Sequence, residues 1–178
     1  MNKLNLPSSS SYHYTRDALD NLGMSHFEYF QSESDSDNTL KMLDRLAGID
    51  GFIKNRNDCI YTLATRNRFV RPEKPTIYTD FTIRGDKFND VKSEFTKRIS
   101  SINNGSLYPH FTIQAWFSAS LFMCGAVVKT QNLYSFVKCQ PQAVKTGFSD
   151  RPFYSVSWRD IKDCEYPILI ATSSFYQV

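Results

Sequence analysis

The chain of 178 residues has no Cys-x-x-Cys pair, no glycine-rich phosphate loop and no apolar run approaching the roughly 18 residues of a membrane span. Each lack closes a class. Cys59, Cys124, Cys139 and Cys164 are scattered, with no histidine at ligand spacing, which argues against a structural zinc site; Cys124, inside the apolar run from Leu121 to Val128, reads as a buried reduced thiol. Without a phosphate loop, nucleotide hydrolysis has no support. His13, His26 and His110 are too dispersed for a Ser/His/Asp or Cys/His constellation to be argued from spacing. The opening residues Met1 to Pro7 reach a proline before any apolar segment of signal-peptide length. The expectation is a cytoplasmic protein with no membrane partner.

The residues present set looser bounds. This length suits one domain with a core of its own. The aromatic fraction, 15%, is high, and aromatics serve a core, an interface or a base-stacking surface equally well. A net charge of +3 permits contact with phosphate without requiring it.

Along the chain, residues 1 to about 11 read as a polar arm. Thr15 to Phe30 reads as a helix broken at Gly23, with Ser25 and Glu28 at capping-box spacing. The acidic tract 32–38 lacks the bend glycine and terminal glutamate of a calcium loop, and reads as a solvated connection. Ile49 to Lys54 and Cys59 to Arg66 read as hairpin strands joined by Asn55-Arg56-Asn57-Asp58, and Thr76 to Arg84 as a third strand. Asp86 to Asn103 has helical periodicity, with Lys87, Lys92, Lys97 and Arg98 on its polar face. Tyr108 to Phe117 and Leu121 to Lys129 follow as strands, the second apolar enough to be buried on both faces. Leu133 to Val137 reads as a short helix, and Phe153 to Trp158 and Pro167 to Thr172 as further strands. The expected organisation is an arm and first helix segment (1–24), an α/β core (25–137), and C-terminal strands (138–178) that complete the same domain.

The chemistry worth weighing centres on Gly48-Ile49-Asp50-Gly51 and on Ala64-Thr65-Arg66 of the neighbouring strand. Metal-assisted phosphodiester cleavage needs oxygen ligands for a hard cation and a positive group to steady the phosphate. Asp50 offers one carboxylate, Glu28 a second and Arg66 the cation, with Asp44 or Asp80 as carboxylates that could swing in. Plainer roles stand beside these. Asp50 serves as well as a strand-start acid bonded to local amides, Glu28 as a cap, and Arg66 and Arg68 as surface partners of the acidic tract.

In this order of elements and these motifs the chain resembles the PD-(D/E)XK nuclease superfamily over roughly Ser25 to Val137, and it also looks like phage-borne members of that superfamily. The resemblance implies a restriction-endonuclease-like core of helix, three strands, helix and strand, with a C-terminal β-rich appendage. Asp50 would then carry the first acidic motif and Glu28 the helix glutamate, both as Mg²⁺ ligands. Arg66 would stand where the motif lysine belongs, and Gln114 would support the active site, unless it is a satisfied core amide. Ala64 replaces the second acid, and arginine does not deprotonate to act as a base. Two functions follow. One is a nuclease-fold nucleic-acid-binding protein, with weak or degenerate Mg²⁺-dependent deoxyribonuclease activity as an open alternative, that contacts DNA through Arg66, Arg68, Arg71, Lys74 and Arg84. The other is a phage or mobile-element module that binds a host protein without catalysis, favoured by the aromatic-rich C-terminal segment. Substrate preference and oligomeric state are not legible.

Overall fold

A computed structural model describes residues 8–31, 42–43, 47–71, 73, 76–85, 93–141, 144–147 and 153–174. The chain is a mixed α/β protein with a mostly sheet core and, among the described residues, four helices. In chain order the elements are α1 (Ser8–Asn21), β1 (Glu28–Gln31), β2 (Gly51–Lys54), β3 (Ile60–Phe69), β4 (Asp80–Arg84), α2 (Glu94–Asn103), β5 (Phe111–Ser118), β6 (Leu121–Lys129), α3 (Thr130–Cys139), β7 (Val144–Gly147), β8 (Phe153–Ser157), α4 (Trp158–Asp163) and β9 (Ile168–Thr172).

Two sheets form. The larger has strand order β1-β2-β3-β5-β6-β9, and the smaller β4-β8-β7. In the larger sheet β1, β2 and β3 run antiparallel in succession, β5 lies parallel to β3, and β6 and β9 continue antiparallel. A parallel neighbour requires a long crossover, and the one from β3 to β5 contains α2.

One face of this sheet is covered by α1, where Leu19 and Leu22 pack with Tyr29, Ile53, Leu63, Ile113 and Val127. Full burial of such side chains is worth roughly 1.5–3 kcal/mol each. Arg16 fixes the exit of α1 by donating to the Phe27 carbonyl at 2.6 Å and to that of Ser25 at 3.1 Å. The opposite face carries the larger cluster, in which Trp116, Cys124 and Val128 meet Phe81, Ile83, Tyr134, Phe136, Val156 and Trp158.

Several expectations need correction. The polar arm is helical from Ser8, and the helix ends at Asn21 rather than running past residue 23. Gly23 turns the chain at φ +76°, and residues 28–31 are a strand with buried Tyr29 between exposed Glu28 and Phe30. The aromatic spacing of Phe27 and Phe30 imitates a helical period, whereas the burial alternates with the period of two of a strand. The third strand of the antiparallel set is therefore β1, while the segment expected in that place, β4, belongs to the smaller sheet. The helix of residues 86–103 is described only as Glu94–Asn103, and the acidic tract 32–38 lies outside the described residues.

Candidate functional site

Asp50 stands at the mouth of β2 between two glycines that the packing requires. Gly48 takes φ +59°, and a Cβ there would lie 2.7 Å from Nη2 of Arg98; a Cβ on Gly51 would meet Cε2 of Tyr29 at 2.6 Å and the Phe30 carbonyl oxygen at 2.9 Å. Squeezed between Arg98 and β1, the segment hands Asp50 to β3. The Asp50 N–H donates to the Leu63 carbonyl at 2.8 Å, and Oδ2 accepts the Thr65 N–H at 2.6 Å. The carboxylate therefore sits against the backbone between Ala64 and Arg66.

The parallel register of β3 and β5 aligns Arg66 with Gln114 and Arg68 with Trp116. Of these side chains, Arg66, Gln114 and Trp116 serve the edge of β4 that β8 does not occupy, and the residues leading into it. Trp116 Nε1 donates to the Tyr78 carbonyl at 2.9 Å, and Gln114 Nε2 to that of Asp80. The Thr82 N–H donates to Gln114 Oε1 at 3.3 Å, and Arg66 Nη1 to the Thr82 carbonyl. Side chains of one sheet thus stand in for a strand beside the other, and they satisfy backbone groups that burial would otherwise penalise. Gln114, 2% exposed, has both ends of its amide matched, as a satisfied core amide must.

The Arg66 guanidinium also reaches Glu94, with Nη2 3.3 Å from Oε2. Glu94 opens α2 behind the N-cap Ser93, whose Oγ accepts the Thr96 N–H at 3.2 Å. The same carboxylate accepts the Arg84 N–H at 3.4 Å and lies 3.5 Å from the Tyr134 hydroxyl. Burial pushes the Tyr134 phenol above its ordinary range, Glu94 adds to the rise, and Arg98 and Arg66 oppose it. Arg98, 7% exposed, donates to the Ala47 carbonyl and so ties α2 to the segment that carries Asp50.

Arg68 is the second guanidinium on the Arg66 face of β3, half-buried, with Cζ 5.6 Å from the centre of the Trp116 ring. Desolvation first, and then the charge of Arg66, lower its pKa, while Asp80 acts in the opposite direction. Asp80 itself accepts from Ser155 Oγ.

Glu28 does not join this group. It lies in β1, exposed, in register with Lys54 and 3.6 Å from its ammonium, at the end of β2 remote from Asp50. Four residues of strand separate positions 50 and 54, about 13 Å. Its assignment to a helix, as cap or as metal ligand beside Asp50, is corrected by that register. Arg71 and Arg84 are exposed, and Lys74 and Asp44 lie outside the described residues.

Among the described residues, the set about Asp50 is a poor fit for a Mg²⁺ centre. The carboxylate at the strand pair already accepts a backbone amide, Ala64 brings no oxygen, Glu94 is held by Arg66, and among the described residues no three His, Cys, Asp or Glu side chains converge. What the geometry assembles is a set of guanidinium groups on β3 and α2. Sequence reasoning missed Glu94 and Tyr134, and it read the buried Arg98 as part of a solvated face. The Ser93-Glu94 start signal of α2 was the one available clue, whereas the inward turn of Arg98 has no local signature.

Among helices of the described residues, none is long and apolar enough to cross a membrane. Compared with protein-family models, with curated proteins and with solved structures, the chain finds no match.

Proposed function

We propose that this protein binds nucleic acid on a restriction-endonuclease-like scaffold of the PD-(D/E)XK kind, with the metal chemistry of that scaffold degenerate. The order of elements supports the reading: a helix, an antiparallel β1-β2-β3, a crossover containing α2, and β5 parallel beside β3. The observation that carries it is the pair of guanidinium side chains, Arg66 and Arg68, on one face of β3, next to the point where Asp50 Oδ2 accepts the Thr65 N–H at 2.6 Å. Ala64 offers no metal ligand beside Asp50, and Arg66, 29% exposed in its ion pair with Glu94, keeps a positive group where the motif lysine belongs. Arg66 and Arg68, partly exposed, with the exposed Arg71 and Arg84, supply the contacts.

The test uses Arg71→Gln and Arg84→Gln, whose side chains reach solvent and whose loss spares the fold. A labelled DNA duplex is titrated between about 50 and 200 mM salt, where several phosphate contacts change affinity by orders of magnitude. Each substitution is expected to lower the slope of log affinity against log salt by about 1. A flat salt response of the unaltered protein would overturn the reading. Metal-dependent cleavage abolished by Asp50→Asn would move the protein to the enzymes.

A further inference from the structure

The second feature lies at the far edge of the large sheet, away from Asp50. Among the described residues no strand pairs with the outer side of β9. The Ser173 N–H donates to the Met123 carbonyl at 2.8 Å, and the β6–β9 register fixes the alternation from there. Residues 169 and 171 exchange hydrogen bonds with β6, and the backbone groups of 168, 170 and 172 point outward.

Natural sheets guard such edges with charge, proline or a bulge. The opposite edge has a guard, since Glu28 of β1 is paired with Lys54. Within Ile168–Thr172 there is no charge and no proline, and Leu169 and Ile170 are 53% and 40% exposed.

A groove of about 460 Å³ runs along this edge. Asn21, Leu22 and Gly23 at the end of α1 line it, together with Lys162 of α4 and residues 168–171 of β9. Ala171 packs with the core on the α1 face, and Ile168 with the cluster that holds Trp158 and Ile161 of α4. The two helices therefore flank opposite faces of β9, and the groove is a slot with a strand edge as its floor.

We infer that this slot takes an extended peptide segment of a partner protein, added antiparallel or parallel as a seventh strand, with uncharged alternating side chains and an acidic residue beside Lys162. Pairing of this kind takes affinity from the outward amides and specificity from the side pockets. A second copy of the chain fits less well. Its own β9 carries the same two walls, which would meet those of the first, and it brings no acid within the strand to face Lys162.

The probe is a fluorescein-labelled heptapeptide, Val-Thr-Val-Glu-Val-Thr-Val, followed by anisotropy, with amide hydrogen exchange read at Ile168, Ile170 and Thr172. Binding is expected to slow exchange at those three amides. N-methylation at alternate peptide positions is expected to weaken it about tenfold, the effect of roughly one net hydrogen bond or more. Lysine in place of the peptide glutamate weakens it about threefold, and Lys162→Glu in the protein reverses that preference. Ile170→Lys, at a solvent-facing position, abolishes binding while the thermal unfolding curve stays within a few degrees. Equal binding of the N-methylated peptide, exchange protection elsewhere, or no binding up to about 1 mM peptide would overturn the inference. Self-association lost in Ile170→Lys, with no peptide bound, would overturn it too and assign the edge to a second copy.

Discussion

At the scale of single residues, the motif Gly48-Ile49-Asp50-Gly51 combines steric and chemical demands. Gly48 has both a positive φ and a guanidinium against its Cα, whereas Gly23 has a positive φ with nothing within 4 Å of a added Cβ. Gly23→Ala is therefore expected to cost about 1 kcal/mol, and Gly48→Ala about 2 kcal/mol or more, because Arg98 must also move. Urea unfolding of the two variants measures the difference, and equal costs would deny the contact. Gln114→Leu strips the Asp80 carbonyl and the Thr82 N–H of their partners and is expected to cost about 3 kcal/mol. Cysteine reactivity gives another residue-level check. Cys59, Cys139 and Cys164 are exposed, whereas Cys124 is buried and its thiol is pushed up to about 12. Titration with a thiol reagent should count three fast groups in the native protein and a fourth on unfolding. The placement of Cys124 in an apolar run was legible in the sequence. That Arg98 turns inward was not, since its helical spacing is that of a solvated face and only the meeting of α2 with the 47–48 turn decides otherwise.

Elements were legible where a pattern is long. The strand read over Leu121–Lys129 is β6 to the residue, and the hairpin of β2 and β3 around Asn55-Arg56-Asn57-Asp58 is present, with β2 starting two residues later and β3 running on to Phe69. Short elements were lost. Four residues, Glu28–Gln31, are too few for periodicity to separate a strand from one helical turn, and only pairing with β2 settles them. The partner of β4 was hidden for a different reason. Strand propensity forecasts a strand but not its sheet, and β4 pairs with β8, more than 70 positions away by Asp80↔Ser157. At this scale Ser93→Ala tests whether α2 anchors Glu94. Loss of the cap is expected to cost about 1 kcal/mol, measured by chemical denaturation. An unchanged midpoint would mean that the first turn of α2 is held by other contacts.

The whole molecule joins two sheets through a polar seam of Arg66, Gln114 and Trp116, backed by Glu94 and Tyr134. Its loss of stability in alkali follows from two buried acids. Cys124 and Tyr134 keep their protons in the folded state beyond the pH at which the unfolded chain releases them. The unfolded state then binds fewer protons, so stability falls as pH rises. The contribution of Cys124 is complete below about pH 9 and is lost progressively toward about 12. Cys124→Ala is expected to flatten that part of the stability profile, followed by thermal unfolding across the range; an unaltered slope would contradict the burial of the thiol.

The central proposal is that the arginines on and around β3 grip phosphate without a metal. The most direct measurement is equilibrium binding of a labelled DNA duplex, with Mg²⁺ or with EDTA, across a salt series. The account predicts equal affinity in the two conditions once ionic strength is matched, no product on a gel, and a steep linear fall of log affinity with log salt. Binding that needs Mg²⁺, or Mg²⁺-dependent strand scission lost in Asp50→Asn, would contradict it.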